Sequence, residues 1–378
     1  MKNVLADKFI QYSDGITNSV VQKYDDLIDF RIGDPDLITS PVVCSKAFDD
    51  AIHGYTHYMG SYGDPVLIDT LIDFFDEEFD ISYKKENFMI TASGSHAMWL
   101  AMQVTLNKGD EVILTDPCFD SYCSQVEDAG GTVVRLPLYE EEGWLIDPKR
   151  LESLITPKTK GIVINTPNNP CAVSYPKELL EEIATVAIKH DLLVYADDIY
   201  TIYNYKNPFV PIASIEGMKE RTITVRSFSK DYVMTGWRLG CIIASKEIID
   251  AAAHFNGHIV YSAPSVSQRA AIEALNQRNI IQPVICNEFK KRAVYALERI
   301  ATVPYMQAAP LDSSIYLFIN ITASHKSSRE FCDWLYEKAH VGLLPGSAFG
   351  SCGEGYVRLA LTCGVDVIKE AFDRIDAL

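Results

Sequence analysis

The sequence is short of the features that mark a nucleic-acid binder, a membrane protein or a disulfide-stapled domain. Its 34 lysines and arginines face 51 aspartates and glutamates, a formal net charge of −17. Such a chain repels the phosphate backbone that a nucleic-acid protein must neutralise, so any anionic ligand has to be held by a few local groups. No run of about 18 apolar residues occurs, which excludes an ordinary membrane-crossing helix. The opening MKNVLADKFIQYSDG also lacks the apolar stretch of a secretion signal. The nine cysteines (Cys44, Cys118, Cys123, Cys171, Cys241, Cys286, Cys332, Cys352 and Cys363) are odd in number, scattered and never spaced C-x-x-C. That argues against a disulfide framework and a structural zinc, and leads us to expect a reduced, soluble, cytoplasmic protein. Internal repeats and low-complexity tracts are absent, and no G-x-G-x-x-G follows an early strand, as a nicotinamide-binding Rossmann enzyme would require.

What is present is enough apolar material, 48% of 378 residues, for a large core. From about Asn87 short apolar runs alternate with helix-length amphipathic segments, the pattern of an α/β fold with a mainly parallel sheet. Seven strands are expected at 87–91, 111–115, 132–136, 161–165, 192–196, 222–226 and 239–244. Crossover helices are expected between them, for example at 95–106 and at 176–189, the latter with Pro176 in its first turn. After about Ala263 the texture changes to a helical stretch ending near 277, a long helix near 281–301, strand-like runs at 314–321 and 355–360, and a helix at 328–339. We therefore expect an N-terminal arm (1–40) packing on the small domain, a large domain (41–275) and a smaller α+β domain (276–378).

Ligands of an open parallel sheet sit beyond the carboxyl ends of its strands, so the residues that follow each strand matter most. The first strand is followed by Ser93-Gly94-Ser95 and a helix, whose free N–H groups, hydroxyls and dipole suit a phosphate. The second leads to Asp116-Pro117 and the aromatic Phe119. The fourth leads to Pro167-Asn168-Asn169-Pro170, the fifth to Asp197-Asp198-Ile199-Tyr200, and the sixth to Ser227-Phe228-Ser229-Lys230, with Gly236-Trp237-Arg238 close behind. Taken singly, each has a bland reading: a helix cap, a core ring, a turn, a solvated lysine. Their conjunction in chain order is what points to a site.

Together with Gly33-Asp34-Pro35, Tyr58 ahead of Gly63, GDEVI at 109–113, GWRLG at 236–240 and PGSAFG followed by Arg358, these segments make the chain resemble the class I and II aminotransferases. These are pyridoxal-phosphate enzymes of fold-type I. The resemblance spans nearly the whole chain. It implies pyridoxal 5'-phosphate as cofactor and Lys230 as the Schiff-base lysine and proton shuttle, with Asp197 paired to the pyridine nitrogen. Tyr200 and Asn169 are implied on the phenolic oxygen, Phe119 on the ring face, and Ser93, Gly94, Ser95, Ser227, Ser229 and Arg238 around the phosphate. Arg358 would clamp the substrate carboxylate with its planar fork, with Gly33 and Asn169 beside it. Tyr58 would reach the neighbouring subunit's phosphate, so a homodimer with shared sites is implied. Tyr12, Ile16, Tyr58 and residues 256–262 are candidates for shaping the substrate pocket.

The chain departs from the family pattern at three points. Asp198 stands where glutamate is usual. Cys171-Ala172 replaces Thr-Gly after the P-N-N-P turn, which is expected to alter the presentation of Asn169. Asp231 sets a negative charge next to Lys230. The leading reading is amino-group transfer between an L-amino acid and a 2-oxo acid by a ping-pong mechanism, in amino-acid metabolism. The alternative, a carbon–sulfur β-lyase or another fold-type I lyase or decarboxylase, would share the same cofactor machinery. A non-catalytic pyridoxal-phosphate sensor would want a DNA-binding module, and no helix-turn-helix precedes residue 30.

Overall fold

The computed structural model describes residues 23–378, so Tyr12, Ile16 and the first half of the expected arm lie outside the described residues. Thirteen strands are described: β1 (Ile28–Asp29), β2 (Phe88–Thr91), β3 (Glu111–Asp116), β4 (Thr132–Pro137), β5 (Thr159–Asn165), β6 (Leu193–Asp197), β7 (Thr222–Ser227), β8 (Gly240–Ile243), β9 (Gln307–Ala308), β10 (Tyr316–Asn320), β11 (Val341–Gly342), β12 (Leu344–Pro345) and β13 (Tyr356–Ala360). The seven expected strands form one sheet in the order β2-β8-β7-β6-β5-β3-β4. β8 is antiparallel to both of its neighbours, whereas β7, β6, β5, β3 and β4 pair in parallel.

Alternation of side chains across these strands feeds two apolar layers. Val112, Leu114 and Val163 join one layer with Met98 and Leu100 of α3 (Gly94–Thr105). Ile113, Ile162 and Ile164 join the other with Leu180, Ile183 and Ala187 of α6 (Lys177–Lys189). Both faces being covered, the strands read as continuous apolar runs. The buried positions of α6 recur every three to four residues, which makes it an amphipathic crossover helix. Pro176 is its N-cap and not, as expected, in its first turn.

Two helices that the sequence reading did not name precede this unit, α1 (Pro41–Ile52) and α2 (Pro65–Phe79). The second starts where Asp64 accepts a hydrogen bond from Val66 N and ends at Asp80 in the left-handed region. Between α3 and α6 lie α4 (Ser121–Asp128) and α5 (Pro148–Ser153). After β7 come the single turn α7 (Phe228–Asp231), α8 (Lys246–Asn256), α9 (Ser265–Asn276), α10 (Arg278–Ile300), α11 (Ser328–Ala339) and α12 (Val365–Asp376). α11 opens with a capping box between Ser327 and Glu330.

A second sheet, antiparallel and ordered β12-β13-β10-β9, lies in the last quarter of the chain and sets Arg358 opposite Phe318. β10 begins at Tyr316 and not at Ser314, because Ser314 has φ +72 and leaves the extended region. β1 pairs in parallel with β11, which ties the described end of the arm to residues 341–342. No helix among the described residues is long and apolar enough to cross a membrane.

Candidate active site

Asp116, Asn165, Asp197 and Ser227 end β3, β5, β6 and β7. Beyond them lies a cleft of about 480 Å³, within the usual range for a small-molecule site. Its walls hold all the residues expected to bind cofactor or substrate carboxylate except one: Gly33, Ser93, Gly94, Ser95, Phe119, Asn169, Asp197, Tyr200, Ser227, Ser229, Lys230, Arg238 and Arg358; residues 256–262, expected to shape the pocket, do not line it. The exception is Tyr58, which is 85% exposed outside the cleft and packs edge-on against Tyr261. Sequence reasoning missed Tyr122, Asn165 and Tyr316, which also line the cleft.

Lys230 projects from α7, a turn capped by Ser227, whose hydroxyl accepts from Ser229 N. Its backbone carbonyl takes a hydrogen bond from Tyr203 and its Nζ donates to the Gly33 carbonyl. Gly33 cannot carry a side chain, since a Cβ there would stand 2.2 Å from the Tyr316 hydroxyl. On the cleft floor Asp197 is 5% exposed. Burial pushes its carboxyl up to about 6, opposed by the hydrogen bond that Tyr122 donates to Oδ2; Oδ1 is buried without a partner.

Asn165 links two elements, donating to the Asp197 carbonyl (3.0 Å) and accepting from Asn169 N (2.8 Å). Arg358 is 5% exposed, donates to Asn169 Oδ1 (2.9 Å) and to the Arg31 carbonyl (2.7 Å), and lies 4.3 Å from the Tyr316 ring centroid. Its Nε has no partner, and burial lowers its pKa. Tyr200 and Tyr316 meet hydroxyl to hydroxyl at 3.1 Å.

At the other end of the cleft Ser93 caps α3 by accepting from His96 N, which leaves the amides of Gly94 and Ser95 without intrahelical acceptors. β8 runs tightly against this turn: a Cβ on Gly240 would lie 2.7 Å from Gly94 N. Arg238, exposed and in the left-handed region, is held by a bond from Nη1 to the Thr235 carbonyl.

The departures at 171–172 and 231 resolve locally. Ala172 takes φ +59, a conformation favoured for glycine, and the turn closes all the same, with Cys171 N on Asn168 Oδ1 (3.0 Å) and Asn168 N on the Val173 carbonyl (2.9 Å). Asn169 is presented to Arg358 despite the missing glycine. Asp231 is fully buried and bonded to Thr201 (2.5 Å) and Arg226 (3.3 Å); burial raises it to about 6. Asp198, also buried, is raised to about 7 by the same cause.

A lysine, a buried carboxylate and a buried arginine converging at the carboxyl ends of this sheet define an enzyme of fold-type I. An aromatic aminotransferase from Pyrococcus horikoshii superposes with a TM-score of 0.91 at 31% identity, covering 94% of this chain and 96% of that one. A tetra mutant of Thermus thermophilus aspartate aminotransferase complexed with tryptophan superposes with a TM-score of 0.94 at 29% identity, covering 99% of each. The pattern of the family described as Aminotransferase class I and II matches residues 25–375, and the chain belongs to that family. An aspartate aminotransferase of Pyrococcus horikoshii is 34% identical over 360 residues, 94% of this chain and 91% of that protein. The aromatic-amino-acid aminotransferase 2 of Thermococcus litoralis is 34% identical over 363 residues, 94% and 92% of the two chains. The protein is an aminotransferase, of a family of pyridoxal-phosphate enzymes, and the elimination reading is not favoured.

Proposed function

We propose that the cleft binds pyridoxal 5'-phosphate covalently through Lys230 and exchanges an amino group between an L-amino acid and a 2-oxo acid. The observation that carries this reading is the pair of buried polar atoms without partners, Asp197 Oδ1 and Arg358 Nε, on residues that line one cleft with Lys230. The first fits a ring N–H, the second a substrate carboxylate. Bound there, the cofactor supplies a carbonyl for the amino group and a ring that withdraws the electrons left when Cα loses its proton. Asp197, oriented by Tyr122, would hold the ring nitrogen protonated, Phe119 would pack on the ring, and Tyr200 and Asn169 would bond its phenolic oxygen. Ser93, Gly94, Ser95, Ser227, Ser229 and Arg238 take the phosphate, which suits a capped helix N-terminus. Lys230 Nζ, which lines the same cleft, would be the group that moves the proton at the substrate Cα. Borohydride reduction of the yellow protein followed by peptide mapping should label Lys230; protein that takes up no pyridoxal phosphate would sink the reading.

The substrate we infer is an amino acid with a neutral or aromatic side chain. Among the described residues the cations lining the cleft are Arg31, Lys230, Arg238 and Arg358. Arg31 is tied to Asp29 by two bonds of 2.8 Å, and the other three are already assigned. None is left for a second carboxylate, whereas Ile32, Tyr316, Leu344 and Phe349 offer apolar wall. Comparing kcat/KM for phenylalanine and aspartate tests this, and a preference for aspartate would reverse it.

A homodimer sharing its sites is part of the same reading. Ile38, Phe48, Ile52, Tyr58 and Val260 are exposed apolar side chains of the kind an interface covers, and Tyr58 is the candidate for reaching the partner's phosphate. Sedimentation gives the mass directly. The nine thiols, all free, suit a reducing cytoplasm. Residues 41–275 would carry the cofactor, and residues 276–378, with β1, would carry the carboxylate clamp.

A further inference from the structure

Cys118, just after β3, and Cys123, in the first turn of α4, are two thiols that the transfer reaction does not use. Arg135, on β4, donates from Nη1 to Cys118 Sγ (3.3 Å) and from Nη2 to Cys123 Sγ (3.0 Å), so one guanidinium fork brings both sulfurs together. Its guanidinium forms no salt bridge with a carboxylate among the described residues, although the Asp116 and Asp120 carboxylates lie within reach of its charge; its side-chain hydrogen bonds go to the two thiols. Cys118 is buried and Cys123 half-buried, so a small oxidant reaches the second first. The neighbouring Cys118 thiol, and then the Arg135 charge, lower the Cys123 pKa against burial and the Asp120 and Glu127 charges, which raise it, while Cys123 and burial raise Cys118.

Two of the four residues between the cysteines, Phe119 and Tyr122, belong to the cleft. Phe119 lines it, and Tyr122 donates to Asp197. The Cys118 amide is fixed to the Phe349 carbonyl (2.9 Å), and Gln125 of α4 donates to the Ser95 carbonyl (3.1 Å). A covalent link between residues 118 and 123 thus acts on a segment that touches both the cofactor floor and the phosphate turn.

We propose that Cys118 and Cys123 form an oxidisable dithiol site, with Arg135 as the counter-ion of the attacking Cys123 thiolate, and that its disulfide shifts Phe119 and Tyr122 and slows transamination. The oxidant class is a peroxide. The Cys123 thiolate attacks one peroxide oxygen, breaking the O–O bond and releasing hydroxide, which leaves as water on taking a proton; the sulfur becomes a sulfenic acid. Cys118 sulfur then attacks the Cys123 sulfur and expels the second water. The two thiols lose two electrons and two protons, and the peroxide is reduced to two waters. Closing the bond draws the sulfurs from their shared contact on Arg135 to about 2.05 Å. A small dithiol reverses the step by exchange.

The test treats the holoenzyme with hydrogen peroxide at limiting dose, maps its disulfides by mass spectrometry, and follows both the bound-cofactor spectrum and the amino-acid half-reaction. The expected result is a 118–123 link formed before any other cysteine is oxidised, a changed cofactor spectrum, and a half-reaction slowed about tenfold and restored by dithiothreitol. Arg135→Gln should slow formation of the link several-fold, because the guanidinium no longer stabilises the Cys123 thiolate. Cys123→Ser, at a half-buried position, should leave the untreated rate unchanged and abolish the peroxide effect; Cys118→Ala should stop Cys123 at the sulfenic acid. Oxidation appearing first at Cys44 or Cys286, or no 118–123 link, overturns the site. A link that leaves spectrum and rate unchanged overturns its control of the cleft.

Discussion

Tyr122 gives its phenolic hydrogen to one oxygen of Asp197 while the other oxygen of that carboxylate is buried with no partner. In the cofactor-free protein the ionised form is therefore under-solvated, and burial lifts the carboxyl from 3.8 to about 6. An acid whose pKa is higher folded than unfolded stabilises the fold at low pH and loses that contribution as pH rises through the window between the two values, here about 4 to 6. Asp197→Asn removes the penalty. Denaturation of the cofactor-free proteins should show the variant up to about 3 kcal/mol more stable than wild type at about pH 8, with the gap closing below about pH 4. The same variant should have almost no transaminase activity, because the ring nitrogen loses its counter-charge.

Arg358 is desolvated on all sides, between the Tyr316 and Phe349 rings, with two of its nitrogens engaged and Nε open. A lysine there keeps the charge but cannot hold Asn169 and the Arg31 carbonyl while also taking a carboxylate in a planar fork. Arg358→Lys should lower kcat/KM for amino acids about a hundredfold, worth about 3 kcal/mol, mostly through KM. Cofactor affinity, measured by equilibrium titration, should change little.

Much of this arrangement was legible in the sequence because strand ends are. Lys230, Asp197 and Ser93 each follow a buried apolar run, and a run of that kind announces both the strand and the place where its ligand side begins. Tyr122 gave no such signal: it sits in SYCSQVED, a short polar helix whose contact with Asp197 depends on β3 and β6 being brought near through β5. Tyr316 reads as one more aromatic in an apolar strand, and only the second sheet's placement over the first turns it into cleft wall. Helices α1 and α2 were missed because acids at Asp49, Asp50, Asp73, Asp76, Glu77 and Glu78 interrupt their apolar pattern. Three of those acids pair with arginines on helices 200 residues or more later: Asp50 with Arg269, and Glu77 and Glu78 with Arg278.

Ala172 holds a left-handed backbone at the turn that carries Asn169. For a residue with a Cβ that conformation costs about 1–2 kcal/mol, partly offset by the lower entropy of alanine in the unfolded chain. Ala172→Gly should raise stability by a few tenths to about 1 kcal/mol, read as a higher denaturation midpoint, with KM and kcat unchanged. A loss of stability would mean that the alanine methyl contributes packing that outweighs the strain.

Asp116 at the end of β3 receives Ser351 N (3.2 Å), Ser351 Oγ (2.8 Å) and Cys352 N (3.1 Å), and so fastens the loop at 346–353 to the main sheet. That loop carries Phe349, which packs against Arg358, and Gly350, where any Cβ would collide with the Asp116 carboxylate at 1.9 Å. Removing the carboxylate leaves two part-buried amides and a hydroxyl without that acceptor, a loss of about 1–3 kcal/mol for charge-assisted bonds that water can partly replace. Asp116→Ala should lower the denaturation midpoint accordingly and raise KM for amino acids several-fold more than it lowers kcat, since Phe349 no longer braces the arginine. Asp116→Asn keeps one acceptor oxygen and should recover part of both effects. If Asp116→Ala destabilises the protein but leaves KM unchanged, the loop is a stability element and Arg358 is braced by Tyr316 and Asn169 alone.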